Sequence, residues 1–294
     1  MNYRHVFHAG NFADLLKHAV LLEIISQATS TATGARGPLT VIDTHAGAGA
    51  YDLRGDAAQR TGEGAAIAAL MAAPDAPAVF EPLKVEVRRL NETGERFYPG
   101  SPLLIAHALR PRDQLMACEI NRDDFELLRE TLRGPAGAFA LREDGWDVAR
   151  LRTPRPPAGA VVLIDPPYEA ANDPERAVQA MSQVLGRNPG ATVAVWAPIK
   201  DLASFDSLLS NLEDAARGLP MLVAETRLRP PDDPMRLNGC AMIVVNPAQN
   251  LVEKAGEAAQ WIAGAFGGGV GLGRVTRFNA KAVRRQERGV KTSF

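Results

Sequence analysis

The feature that most constrains the fold is a regular alternation between short aliphatic runs and helical patterns along the 294 residues. The short runs are rich in β-branched residues, as buried strands are. Helical patterns lie between several of them, for example at residues 205–216 and 251–266. Strands that alternate with helices form a parallel sheet covered on both faces, so an α/β fold is predicted. The strand candidates are residues 39–42, 114–118, 138–141, 160–164, 191–196 and 240–245.

The C-terminal part departs from this alternation. Residues 221–228 also have the pattern of a strand, and a Pro-rich loop rather than a helix joins them to the strand at 240–245. Two strands joined without a crossover helix pair antiparallel. We therefore predict a mostly parallel, seven-stranded sheet with an antiparallel C-terminal strand.

An insertion is predicted between the first two strands of the parallel part. They lie roughly seventy residues apart, although a crossover needs only a dozen or more. The expected helix begins late, at Ser101-Pro102, where serine can cap and proline suits the first helical position. We place a small helical insertion at residues 51–98, with an apolar helical stretch at 63–71 and a basic portion containing Lys84, Arg88, Arg89 and Arg96. It forms either a cap over the cleft or an excursion without a role.

The remaining segments complete the predicted organisation. A helical pattern at residues 13–25 precedes the sheet and belongs to an N-terminal helical motif at 1–36. Residues 1–50 and 99–270 are then one domain, 51–98 an insertion subdomain, and 271–294 a basic C-terminal tail. That tail is either solvated or in contact with phosphates, because charge runs at termini are common.

Composition narrows the class of protein. The formal net charge of −1 argues against binding nucleic acid by electrostatics alone. Two cysteines, Cys118 and Cys240, lack the paired spacing of a zinc site or disulfide framework, and no metal site is expected. The N-terminus lacks the order of a signal peptide, and no apolar stretch approaches membrane-spanning length. A cytoplasmic protein is the expectation.

A glycine-rich turn follows the first strand. Asp43 is followed by Thr-His-Ala-Gly47-Ala-Gly49, and glycine lets the backbone approach a ligand closely. An acid four residues before Gly-x-Gly resembles the cofactor loop of Rossmann-like methyltransferases. Two further acids end strands: Glu119 is placed to bind ribose hydroxyls, and Asp144-Gly145 to recognise an adenine ring. Together they predict a cofactor crevice at the carboxyl edge of the sheet.

The most specific local signal is the strand at 160–164 that continues into Asp165-Pro166-Pro167-Tyr168. The prolines stiffen the backbone, so the Asp165 carboxylate and the Pro166 carbonyl can both accept hydrogen bonds from an exocyclic amine. Such bonds direct the amine's lone pair at a methyl donor, which is catalysis by positioning and electrostatics. Tyr168, with Pro166 beside it, can stack on an unpaired base.

The chain resembles the bacterial 23S ribosomal RNA adenine-N6 methyltransferases that carry a helical insertion. The resemblance runs from Met1 to about Gly268. It rests on the glycine turn, on Asp-Pro-Pro-Tyr and on three further segments, namely Tyr3-Arg-His5-Val-Phe-His8-Ala-Gly10-Asn11 through Asp14, Lys17 and His18, Arg60-Thr-Gly62-Glu63, and Tyr98-Pro-Gly-Ser101-Pro102.

This resemblance implies a Rossmann-like class I fold, S-adenosylmethionine as cofactor and 23S ribosomal RNA as partner. It implies a reacting amine at Asp165, with Tyr3, His5 and Lys17 beside the target base. A histidine there could accept the released proton, although water can also take it. The implied cofactor pocket comprises His18, His45, Gly47, Gly49, Ser101, Glu119, Asp144, Gly145 and Asp165.

Other functions remain open at this point. Asp-Pro-Pro-Tyr serves guanine N2 as well as adenine N6, and DNA adenine is possible in principle. A nicotinamide-dependent oxidoreductase would share the sheet, but the third glycine of its fingerprint is missing. A non-catalytic nucleic-acid-binding protein would not depend on Asp165.

Overall fold

The computed structural model describes residues 9–30, 37–53, 64–92 and 97–278. The strands in these ranges are β1 (Leu39–Asp43), β2 (Ala50–Asp52), β3 (Phe97–Pro99), β4 (Gln114–Cys118), β5 (Ala138–Leu141), β6 (Gly159–Ile164), β7 (Thr192–Ile199), β8 (Met221–Arg227), β9 (Gly239–Val245) and β10 (Leu272–Phe278). The helices are α1 (Phe12–Thr29), α2 (Ala65–Ala72), α3 (Glu81–Leu90), α4 (Ser101–Ala108), α5 (Arg122–Thr131), α6 (Gly145–Arg152), α7 (Asp173–Arg187), α8 (Leu202–Ala215) and α9 (Leu251–Phe266).

Eight of these strands form one sheet in the order β10-β8-β9-β7-β6-β1-β4-β5. The run from β7 to β5 is parallel, whereas β9 lies antiparallel between β7 and β8. The predicted α/β fold and antiparallel C-terminal part are thereby confirmed. Helices α1, α4, α5 and α9 share a core with one face of the sheet, and α6, α7 and α8 with the other.

The predicted strand number was wrong, because the segment assigned to the basic tail begins with an eighth strand. Strand β10 pairs antiparallel with β8 along its whole length. The arginines of β10 give its sequence the pattern of a charged tail, but they are paired in the structure. Arg274 donates to the buried Glu225 at 2.9 Å, and Arg277 donates to the carbonyl of Gln249. Gly273 lets the strand approach α9, since a Cβ there would lie 2.3 Å from the carbonyl oxygen of Ala259. Residues 279–294 lie outside the described ranges.

The helix predicted at residues 13–25 is α1. The side chain of Asn11 caps it by accepting from the backbone N–H groups of Ala13 and Asp14, at 2.9 and 3.1 Å. Most side chains of α1 are buried, as in a helix covered on several sides. Its neighbours are α9, α4, β9 and the helices between residues 51 and 98. Helix α1 is therefore a central element of one layer of the fold.

Between residues 51 and 98 the chain forms α2, a short 3₁₀ turn (Ala78–Phe80) and α3. Strands β2 and β3 pair at the base of this excursion, with Tyr51 opposite Tyr98. The excursion packs on α1 and α9, for example through an edge-on contact between Phe80 and Trp261 at 5.2 Å. The cap over the cleft and the division into domains remain predictions, and Arg96 and the motif at residues 60–63 lie outside the described ranges.

Within the described ranges, no helix has the length and apolar character needed to cross a bilayer. Both cysteines are buried free thiols.

Candidate active site

The candidate site lies at the carboxyl edge of the parallel strands, beside β1. The sheet order reverses there, because the chain passes from β1 to β4 on one side and later to β6 on the other. Such a switch point leaves a crevice between diverging loops, and ligands of open α/β sheets bind in it. The loops after β1, β4, β5 and β6 carry most of the residues predicted from sequence.

The glycine turn after β1 is held by its neighbours. Gly47 and Gly49 both have positive φ, at 62° and 82°, a conformation that favours glycine. The Gly47 N–H donates to the Glu119 carboxylate at 3.1 Å, and the Gly49 carbonyl accepts from the Gly100 N–H at 2.8 Å. The turn thus connects the ends of β1 and β4 to the start of α4.

Glu119 lies at the predicted strand end. One carboxylate oxygen accepts from Gly47, and the other accepts from the Asn121 N–H at 2.6 Å. Partial burial raises the pKa of Glu119, while these backbone bonds oppose the rise. The next residue, Ile120, is a large apolar side chain that is 58% exposed. Sequence reasoning missed it, because a single isoleucine after an acid carries no distinct pattern.

Asp144 and Gly145 begin α6. Asp144 caps the helix by accepting from the Trp146 N–H at 2.9 Å, and its other oxygen accepts from Arg176 at 3.0 Å. Gly145 is required by a close approach, since a Cβ would lie 1.9 Å from the carbonyl oxygen of Thr44. The loop after β5 is thereby pressed against the glycine turn.

Three side chains pack together beside this contact. The guanidinium of Arg176 lies over the Trp146 ring, 4.9 Å from its centroid, and the His45 ring meets Trp146 edge-on at 4.7 Å. Burial, and then the charge of Arg176, lower the pKa of His45 to about 3, so its imidazole is neutral at physiological pH. Arg176 and Trp146 were not predicted, because their roles depend on the packing of α7 against α6.

A fully buried carboxylate lies at the end of β1. Asp43 accepts a 2.6 Å hydrogen bond from the Ser101 hydroxyl, which stands in the first turn of α4. Its other oxygen, Oδ1, is buried and accepts no hydrogen bond from the described residues. Burial raises the pKa of Asp43 to about 6 against the effect of the Ser101 bond, and the charge of Asp165 adds to the rise. The sequence indicated Asp43 as part of the glycine turn but not as a pocket residue.

The loop after β6 carries the Asp-Pro-Pro-Tyr motif. Asp165 Oδ2 lies 2.8 Å from Nζ of Lys17, and Pro166 is buried. Tyr168 has a φ of 52°, unusual for a residue other than glycine. Its hydroxyl donates to the Trp196 carbonyl at 2.7 Å, which fixes the orientation of a partly exposed ring.

Lys17 is only 3% exposed and lies between two carboxylates, since Nζ is also 2.8 Å from Asp14. Burial acts to lower the pKa of Lys17, but Asp14 and Asp165 outweigh it and hold the pKa well above its usual value. Lys17 therefore stays an ammonium group and does not act as a base.

His18, the next residue on α1, is also buried. Its Nδ1 lies 2.6 Å from the Tyr98 hydroxyl, and the two rings stack at 5.4 Å. Burial raises the pKa of Tyr98 well above its usual value, so the phenol stays protonated. Tyr3 and His5 lie outside the described residues.

The crevice fits S-adenosylmethionine by its donor and acceptor set. Asp43 presents a buried oxygen that lacks a donor among the described residues, and the carboxylate of Glu119 lies at the end of the neighbouring strand. The strand order and the sequence of loops around the switch point are those of the class I S-adenosylmethionine-dependent methyltransferases, and the chain has this fold.

Comparison with known proteins gives the family. The model of the family described as "Ribosomal RNA large subunit methyltransferase D, RlmJ" matches residues 36–277, and the chain belongs to this family. The ribosomal RNA large subunit methyltransferase J of Escherichia coli K12 is 33% identical over 265 residues, which cover 89% of this chain and 92% of the relative. Its counterpart from Haemophilus influenzae is 31% identical over 255 residues, covering 85% and 89%.

A solved structure supports the fold. The crystal structure of a Legionella pneumophila protein superposes with a TM-score of 0.82 at 22% identity, covering 93% of this chain and 99% of that one. At this identity the likeness concerns the fold alone.

Proposed function

We propose that this protein transfers the methyl group of S-adenosylmethionine to the exocyclic N6 amine of an adenine in 23S ribosomal RNA. Membership of the ribosomal RNA large subunit methyltransferase family supports the reaction class and the RNA substrate. The family resemblance favours adenine N6. An RNA substrate also agrees with the predicted cytoplasmic location.

The observation that carries the proposal is the fixed carboxylate of Asp165. Its Oδ2 bonds the buried Lys17 ammonium, whereas Oδ1 accepts no hydrogen bond from the described residues. The adjoining Pro166-Pro167 pair restrains the backbone that carries it. An amine with one hydrogen directed at Oδ1 and the other at the Pro166 carbonyl is held in a single orientation. Holding the reactant in that way is the main contribution a protein makes to such a transfer.

S-adenosylmethionine supplies an activated methyl group to this site. We propose that His18, His45, Gly47, Gly49 and Ser101 hold it, together with Glu119, Asp144 and Gly145 after the next two strands, and with Asp165. Glu119 is placed for the ribose hydroxyls, and Asp144 with Gly145 for the adenine ring. The neutral imidazole of His45 adds no positive charge to a pocket that must receive a cation.

The target base is proposed to stack on Tyr168 with Pro166 beside it. Unpaired RNA bases offer flat faces to aromatic side chains, and base-modifying enzymes hold their target outside a base stack. The bond from the Tyr168 hydroxyl to the Trp196 carbonyl keeps the ring in place before the base arrives. Tyr3 and His5 are proposed to flank the base from the N-terminal segment.

The proton released by the methylated amine needs an acceptor other than Lys17. Lys17 keeps its own proton because two carboxylates contact it. Water, or a histidine close to the base such as His5, can accept the proton. This proposal therefore assigns Asp165 to orientation and electrostatics, and not to removal of the proton before transfer.

The test is transfer of labelled methyl groups to unmodified 23S ribosomal RNA by wild type, Asp165→Asn and Asp165→Ala. Both variants should lose about a hundredfold or more in kcat, as when a key charge-stabilising group is removed. Their melting temperatures and affinity for S-adenosylmethionine report whether the fold persists. Asp201→Asn is the matched control, because this residue only caps the surface helix α8. Full activity in folded Asp165→Ala would contradict the proposal.

A further inference from the structure

We propose that Asp14 is a positioning residue for methyl transfer, acting through Lys17 to set the orientation and hydrogen-bond strength of the Asp165 carboxylate. This inference rests on the proposed function and adds a residue that does not touch the substrate. It explains why a buried carboxylate stands in the first turn of α1, on the far side of Lys17 from the reacting group.

The contacts form a chain from the backbone to the site. The Gly10 N–H donates to Asp14 Oδ2 at 2.9 Å, and Asp14 Oδ1 lies 2.8 Å from Nζ of Lys17. Nζ in turn lies 2.8 Å from Asp165 Oδ2. Exposure falls from 11% for the Asp165 side chain to 4% for those of Lys17 and Asp14. Asp165, the group nearest the crevice, is thus held by two side chains, Lys17 and Asp14, that are almost inaccessible to solvent.

The first turn of α1 fixes this chain in space. Asp14 and Lys17 are three residues apart, so they face the same side of the helix. Asn11 caps the same turn, which restrains the backbone that carries Asp14. Asp165 lies 148 residues after Lys17 in the chain. The contacts from Asp14 through Lys17 to Asp165, here called the bridge, therefore join the N-terminal helix to the loop after β6.

Two carboxylates share one ammonium, and this ratio sets the strength of Asp165 as an acceptor. Inside a protein, charge interactions are screened less than in water. If Lys17 paired with Asp165 alone, its whole charge would draw on one carboxylate and weaken the bond from Oδ1 to the substrate amine. Asp14 takes part of that charge, so the Asp165 carboxylate keeps its strength as a hydrogen-bond acceptor for the substrate amine.

Several other titratable groups lie near Asp14, Lys17 and Asp165. Burial raises the pKa values of the neighbouring tyrosines and of the Cys240 thiol, which therefore stay protonated. Burial raises the pKa of Asp43 on β1 to about 6, the charge of Asp165 adds to the rise, and the charge of Lys17 opposes it. The groups facing the bridge are Asp43 from β1, Tyr51 from β2, Tyr98 from β3, Cys240 from β9, Tyr168 from the loop after β6, and His18 from α1.

The central variant is Asp14→Asn, which keeps an oxygen for the Gly10 N–H and removes one charge. Its matched control is Asp113→Asn. Asp113 is equally buried, also pairs with a cation three residues away, Arg110, and also accepts a backbone N–H, from Leu39. It lies at the opposite edge of the sheet, where β1 begins. Any general cost of neutralising a buried aspartate appears in both variants.

The kinetic readouts are kcat, KM for RNA and the acid limb of the pH–rate profile. We expect Asp14→Asn to lower kcat about tenfold, or about 1.4 kcal/mol, with KM unchanged. Its acid limb moves to lower pH, since removing a negative charge favours the ionised form of Asp165. The control keeps the wild-type kcat and acid limb. A loss of kcat by the same factor at every pH would reduce Asp14 to a structural role and overturn the proposal.

A double-mutant cycle tests whether Lys17 transmits the effect. Lys17→Met leaves two carboxylates without their cation, so its acid limb moves to higher pH, opposite to Asp14→Asn. In the Lys17→Met background, Asp14→Asn should no longer lower kcat, because the connecting group is gone. An undiminished tenfold loss there would contradict the proposal.

A measurement independent of activity completes the test. Carbon-13 NMR of labelled aspartate carboxyls, with the Asp165 signal assigned by its loss in Asp165→Asn, follows this carboxyl in the protein without RNA. Its titration midpoint should fall in Asp14→Asn and stay unchanged in Asp113→Asn. An unchanged midpoint in Asp14→Asn would overturn the inference, even if Lys17→Met does not fold. If wild type methylates no RNA, the proposed function fails while the NMR result still decides the role of Asp14.

Discussion

Replacing Asp43 by asparagine should stabilise the protein at neutral pH and have no such effect in acid. The side chain of Asp43 is fully buried, with one oxygen bonded to Ser101 and the other without a donor among the described residues. Burial is the main cause of its pKa of about 6. An ionised carboxylate in this position costs free energy that a functional pocket tolerates, because a bound cofactor can compensate it.

The size and sign of the effect follow from proton linkage. The pKa rises from 3.8 in the unfolded chain to about 6 in the folded one, and each unit corresponds to about 1.4 kcal/mol. Between these values the folded state binds more protons than the unfolded state, so stability falls as pH rises. The contribution of Asp43 is fully present below pH 3.8 and is lost above pH 6, a change of about 3 kcal/mol.

The assay is urea unfolding of wild type and Asp43→Asn at a series of pH values from 4 to 8. Asparagine does not titrate, and groups that do not interact with Asp43 cancel in the difference between the two proteins. The variant should gain about 3 kcal/mol relative to wild type across this window, or roughly 6 °C in melting temperature. Its affinity for S-adenosylmethionine should fall. Two stability curves that stay parallel from pH 4 to 8 would refute the reasoning.

Three further substitutions test the pocket. Gly145→Ala should lower the melting temperature by several degrees and abolish cofactor binding, because no Cβ fits beside the glycine turn. The control Gly134→Ala should change neither, because a Cβ at Gly134 would meet nothing within 4 Å. Thermal shift with and without S-adenosylmethionine measures both effects. Arg176→Ala removes the cation from the Trp146 ring and should weaken cofactor binding about tenfold by calorimetry, or about 1.4 kcal/mol. Tyr168→Phe should lose about 1 kcal/mol in urea unfolding and keep most of its methyl transfer, because only the bond to the β7 backbone is removed.

Hydrophobic periodicity was sufficient to predict most of the sheet. The bounds expected for β4, β5 and α9 are those observed, since each is a long or strongly apolar run with clear ends. Strand β10 was missed for the opposite reason. Its arginines resemble a solvated tail until Glu225 on β8 is seen to pair with one of them.

The candidate site, like the sheet, was predictable from the sequence only in part. The ends of β1, β4, β5 and β6 were predictable, because parallel strands bring their carboxyl ends to one edge, and the predicted residues on these loops do meet there. The ion pairs of Lys17 and Arg176 were not, since each side chain contacts a residue distant in the sequence, Asp165 in one case and Asp144 in the other. No local pattern encodes which charges the fold brings together.

The most direct test of the central claim is nucleoside mass spectrometry of 23S ribosomal RNA after incubation with the protein and labelled S-adenosylmethionine. The RNA must come from cells that lack this modification, so that the target base is free. The account predicts labelled N6-methyladenosine, absent when Asp165→Ala replaces wild type. Labelled N2-methylguanosine would retain the role of Asp165 but contradict the choice of base, and no label in any RNA nucleoside would contradict the proposed function itself.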